Sequence, residues 1–218
     1  MDRPRRPDAP EVARRILVVS TVLARVRAEC ERPGIDTKAG VADWLRAHDL
    51  HESASLRELK FLNAPAGRTD RAELIQLSWR VEACAMLVWS AGGLPQLPAW
   101  DALAEPMAVI EALAQAHAEP RTFVAGVRLR PDPEIEDARD QAELWHWRSR
   151  AKDDAGIRAA ARGVAGAIDG DFPAMGRAYR TLSGEEVATL RSIARERCFA
   201  LNWLCGFAPG AEWESTPT

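Results

Sequence analysis

Apolar residues recur at three- and four-residue spacing along nearly the whole chain, the period of an amphipathic helix. Val12, Ile16, Val19, Leu23 and Val26 mark the first such run, with Asp8 placed to cap it and Pro10 in its first turn. Pro33-Gly34 stops it near Glu31. Asp36 is positioned to cap a second helix carrying Val41, Trp44 and Leu45, and Ser55-Leu56-Arg57-Glu58 is a capping box opening a third. Asp70-Arg71-Ala72-Glu73 opens a helix that the pattern carries unbroken to Gly92-Gly93. A further helix spans about 105–117. An acidic one begins near Pro133 and runs through Leu144, Trp145 and Trp147 to about Lys152, and a glycine-interrupted one covers 156–168. Ser183-Gly184-Glu185-Glu186 is a second capping box, opening a long final helix that ends at Gly206. Thr122–Leu129 has strand character but no partner strand, so it is expected to be an extended connector, and Gly170–Gly176 a loop. The pattern predicts an all-α fold: one compact domain of seven or eight helices over 10–207, after a flexible arm at 1–9 and before a coil tail at 208–218.

The segment 70–92 is unusual. Leu74, Leu77, Val81, Ala85 and Val88 make one stripe, and Ile75, Trp79, Met86 and Trp89 carry it around the cylinder. A helix apolar nearly all round is a buried one, here the centre of the fold. Arg80 and Glu82 interrupt it and, two apart, face away from one another. An unpaired carboxylate inside an apolar band costs several kcal/mol, so Glu82 requires a cationic or donor partner from another helix. Arg197 and Asn202 flank the core stripe of the final helix, and His146 sits between Trp145 and Trp147 on the acidic one. Arg80, Glu82, His146, Arg197 and Asn202 thus make a candidate polar cluster, with Trp79 and Trp147 beside it. It is either a network that fixes helix register or a site that binds something. Of the eight Trp, Trp79, Trp89, Trp145, Trp147 and Trp203 fall at core-facing helical positions, whereas Trp100 and Trp213 lie in loop or tail, where each is a candidate exposed anchor.

Composition narrows the function classes. With 29 Lys+Arg against 32 Asp+Glu in 218 residues, the net charge of -3 leaves no footprint for nucleic acid or an anionic membrane. No apolar run is long enough to span a bilayer and no secretory signal is visible, so the expectation is a cytoplasmic protein. Cys30, Cys84, Cys198 and Cys205 are scattered and read as small buried hydrophobes. His48 and His51 lie at a helix end without an evident third ligand, so no metal is expected there. The carboxylates of 132–143 point all round their helix, a solvated face. There is no Walker loop, GxGxxG, GxSxG or HExxH, and nothing calls for a cofactor.

Several phrases in order look like one family. They are Leu77-Ser78-Trp79-Arg80-Val81-Glu82 with Leu87-Val88-Trp89-Ser90; Leu129-Arg130-Pro131 leading to Glu134-Ile135; Leu144-Trp145-His146-Trp147; Arg197-Cys198-Phe199-Ala200-Leu201-Asn202-Trp203-Leu204; and the closing Trp213-Glu214-Ser215-Thr216-Pro217-Thr218. Over roughly residues 12 to 218 the chain resembles the bacterial DUF4272 family, a domain of unknown function. It departs at Ala142-Glu143-Leu144-Trp145 and in the glycine-rich stretch 156–176. The resemblance implies a helical domain and supports grouping Arg80, Glu82, His146 and Asn202, but it implies no reaction. The functional expectation is a non-catalytic binding or protein-interaction module, regulatory or toxin-neutralising, with an unknown protein or small molecule as partner. The alternatives are a small-molecule sensor with a Trp-walled pocket and a hydrolase using Glu82 and His146.

Overall fold

A computed structural model of the chain describes residues 5–31 and 38–218. The helices are α1 (Ala9–Glu31), α2 (Lys38–Ala47), α3 (Leu56–Asn63), α4 (Arg71–Ser78), α5 (Arg80–Ser90), α6 (Pro106–Ala118), α7 (Pro120–Gly126), α8 (Asp132–Arg148), α9 (Asp154–Ala161) and α10 (Gly184–Leu204). A two-stranded hairpin, β1 (Pro173–Ala174) and β2 (Arg177–Ala178), precedes α10. The fold is all-α, as the periodicity predicts. Among the described residues no helix is long and apolar enough to cross a membrane.

Local chemistry starts the helices where the sequence places the signals. Asp8 Oδ1 accepts from the Glu11 N–H and Glu11 Oε2 from the Asp8 N–H, both at 2.8 Å, so α1 opens on a reciprocal cap. The boxes Ser55/Glu58 and Ser183/Glu186 are both closed, and Asp70 accepts from the Glu73 N–H at 2.8 Å. The cap at Asp36 lies outside the described residues. Gly92 and Gly206, at φ 77° and 81°, take the left-handed conformation that stops α5 and α10. Before α1, Arg6 pairs with Asp132 and Glu136 of α8.

The core forms where α5 and α8 pack on α10 and α1 packs on α5. Every residue of α5 from Glu82 to Ser90 is buried. The continuous helix expected over 70–92, however, is divided at Trp79. The Glu82 N–H bonds the Trp79 carbonyl at 3.0 Å, three residues back instead of four, and the Ser78 hydroxyl donates to the Ile75 carbonyl at 2.8 Å. α4 is a surface helix, with Leu77 buried and Ile75 48 % exposed.

Three further expectations change. Residues Pro120–Gly126, within the expected connector, are helical: Pro120 sits in the first turn with its fixed φ already suited to a helix, and the Phe123 N–H bonds the Glu119 carbonyl at 3.0 Å. With the division at Trp79, this brings the α-helices among the described residues to ten. α9 ends at Ala161, and the chain from Ile168 to Ala178 folds into the small hairpin. Trp147 lies at the surface, because α8 turns Trp145 and His146 toward the core instead.

Candidate functional site

Glu82 finds the partner its burial demands. Its Oε2 accepts from Arg197 Nε at 2.9 Å and Nη2 at 2.8 Å, and its Oε1 accepts from the Ala104 N–H at 2.9 Å. Both side chains are fully buried. Arg197 spends its remaining donors on the carbonyls of Pro98 (3.2 Å), Ala99 (2.7 Å) and Ala102 (2.8 Å). Burial pulls the guanidinium below its ordinary value and Glu82 opposes the pull. One ion pair thereby joins α5, α10 and the loop over 98–104. Every polar atom in it is satisfied, which is the condition under which a buried pair holds.

The other members of the expected cluster lie apart from this pair, and Arg80 and Asn202 have partners of their own. Arg80 reaches Glu196 at 3.2 Å and Glu214 at 3.6 Å, with its guanidinium 4.5 Å from the Phe199 ring centre. Asn202 accepts from Arg139 Nε at 3.0 Å and donates to the Pro217 carbonyl at 2.9 Å. His146 is buried on α8, its pKa pushed down to about 4 by desolvation first and then by Arg150, Arg195 and Arg191. Arg80 and Asn202 therefore hold the tail. Trp213, a candidate exposed anchor, is instead 5 % exposed, edge-on to Phe199 at 4.6 Å and Trp203 at 5.3 Å, with Arg15 5.0 Å above it. Trp100 is half-buried against Arg197.

Sequence reasoning missed three more buried pairs: Arg15–Glu58 at 2.6 Å, Arg25–Glu29 at 2.6 Å and Arg148–Asp171 at 2.6 Å. The signal was available in α1, where Arg15 and Arg25 interrupt an apolar stripe just as Glu82 does. Asp171 anchors the hairpin. Burial alone would raise its carboxyl, yet bonds from Arg148 and from the Phe172 and Arg180 N–H groups hold it below the usual carboxylate range.

Among the concave sites of the described residues, the one with a mainly apolar lining is a groove of about 740 Å³ between α1 and α6, with Ser78, Trp79 and Val81 in its floor and Glu82 beneath. Leu23 and Val26 line one wall, Val109 and Leu113 the other. Ser20 Oγ and His117 Nε2, 2.8 Å apart, tie the two walls. Leu103 and Ile110, 55 % and 44 % exposed, stand on the rim. Cys30, also on the rim, is exposed, contrary to the expectation that all four cysteines are buried; burial raises the thiols of the other three. The groove left a trace in the sequence. α6 carries a second apolar row, Met107 and Ile110, beside its buried stripe of Val109, Leu113 and Ala116.

The phrases through 129–135 and 144–147 belong to this scaffold, and residues 2–168 match the family described as Domain of unknown function (DUF4272). The chain belongs to that family. The DUF4272 match takes in α1 to α9 and ends before α10, so the phrases at 197–204 and 213–218 lie beyond the matched residues. All the residues lining the groove fall inside the DUF4272 span, whereas Arg197, which neutralises the carboxylate beneath it, falls outside. No curated protein and no solved structure matches the chain.

Proposed function

We propose that this protein is a non-catalytic binding module whose α1–α6 groove takes a small apolar molecule. The observation that carries the reading is the groove itself. At about 740 Å³ it falls within the range of about 300–1,000 Å³ typical of small-molecule sites. Its walls are aliphatic with one indole, from Trp79, and the one carboxylate beneath it is fully engaged by Arg197 and Ala104. An apolar groove whose buried carboxylate is already satisfied binds by apolar burial. The sensor form of the reading is favoured over a protein-docking tail because Trp213 is packed inside. The hydrolase reading has little support. Both Glu82 oxygens are occupied, and His146 is not among the groove's lining residues.

The test is titration with N-phenyl-1-naphthylamine, an uncharged dye that fluoresces in apolar surroundings, alongside a melting curve. Saturable binding with a rise in melting temperature is expected. Ile110→Trp, on an exposed wall position, fills the groove and should abolish both without unfolding the protein. Dye binding that persists undiminished in Ile110→Trp, or no binding to the wild type, overturns the reading.

A further inference from the structure

The two ends of the groove differ in chemistry. α1 contributes Ser20, Leu23, Ala24, Val26, Arg27 and Cys30 to it. Steps of three and four link these from turn to turn, so they make one helix stripe, about 15 Å long at 1.5 Å per residue. At one end the half-buried Ser20–His117 hydrogen bond closes the walls together. Burial lowers the His117 pKa, so that end is uncharged at neutral pH. At the other end Arg27 and Cys30 are exposed. Of the charged residues lining the groove among the described residues, Glu82 is already neutralised by Arg197, which leaves Arg27 as the charge a ligand meets. Its partner is Glu31, one turn on at 2.7 Å, with both side chains more than half exposed and Glu31 outside the lining. Exposed pairs of this spacing contribute little and exchange readily for a better-placed carboxylate.

Resting on the groove as a binding site, we infer that its ligand is a single-chain amphiphile with a carboxylate head, the acyl chain lying along the α1 stripe and the head group on the Arg27 guanidinium. The head cannot enter the groove, because a bare carboxylate is not desolvated beside aliphatic walls. At the rim it keeps its water on one side and gains a planar, two-pronged donor on the other. An ammonium head would face Arg27 as a like charge, and an alcohol would accept one hydrogen bond from it without charge or a second prong.

Displacement of bound N-phenyl-1-naphthylamine by dodecanoate, dodecanol and dodecyltrimethylammonium, each below its micelle concentration, reads the head-group preference. Dodecanoate should displace the dye at a concentration about tenfold lower than either of the others. Arg27→Gln should bring dodecanoate to the level of dodecanol with the melting temperature as it was. Glu31→Gln, which releases Arg27, should tighten dodecanoate further. Equal displacement by all three amphiphiles, or preference for the ammonium, overturns the head-group inference and leaves the groove standing. Failure of the dye to bind the wild type removes both.

Discussion

At the scale of single residues the decisive group is Glu82. A carboxylate with no exposure is tolerable only because two arginine nitrogens and one backbone N–H accompany it. Removing it strands Arg197 in the core. Glu82→Leu is expected to cost about 3–5 kcal/mol in urea denaturation, the range for an orphaned buried charge. Adding Arg197→Met should recover part of that loss but not all, since the carbonyls of Pro98, Ala99 and Ala102 would then lack their donor. His146 makes a second prediction, this time through pH. Its folded pKa of about 4 lies below the ordinary value of 6.5, so between those values the unfolded chain takes up a proton that the folded one refuses. Stability therefore falls as pH is lowered from about 6.5 toward 4. Glu196, whose carboxyl burial raises, pulls the other way. The difference between wild type and His146→Gln isolates the histidine, and the variant's melting temperature should drop less between pH 7 and pH 5. Glu82's need for a partner was legible in the sequence because a charge inside an apolar helix states its own requirement. That Arg80, His146 and Asn202 go elsewhere was not legible, because it depends on which way α8 and α10 turn around their axes.

At the scale of elements, helix starts were legible and helix continuity was not. Ser55 with Glu58 and Ser183 with Glu186 act within four residues of chain, so their signal is complete in the sequence. The division at Trp79 hides because the apolar rhythm of Leu74, Leu77 and Val81 passes straight through it, while the change is in the backbone, where the Glu82 N–H bonds the Trp79 carbonyl. Glu58 shows an economy that periodicity cannot reveal. The same carboxylate closes the cap of α3 and receives both Nη2 contacts of Arg15, so one side chain starts a helix and fixes it to α1. The tail is the reverse case. Residues 208–218 have no periodicity, yet Trp213 is packed as deeply as a core residue. Trp213→Ala should cost about 3 kcal/mol, as for other buried large-to-small changes. Glu214→Ala, whose side chain is 34 % exposed, should cost under about 1 kcal/mol. Chemical denaturation midpoints separate the two, and similar small losses in both would mean that the tail is not anchored by its indole.

At the scale of the whole molecule, fold class followed from one repeated period, but the groove did not, because no single element contains it. It arises where α1 and α6 meet at Ser20 and His117 and stand apart beyond them, leaving the second apolar row of α6 without cover. The order of the core along the chain has its own consequence. α5 and α8 both pack on α10, and the partner of Glu82 lies 115 residues downstream. At a synthesis rate of about 5–20 residues per second, α5 leaves the ribosome roughly 6–23 s before Arg197 does. Through that interval α5 can close on α1, which precedes it, but its α10-facing side stays open and Glu82 waits for its arginine.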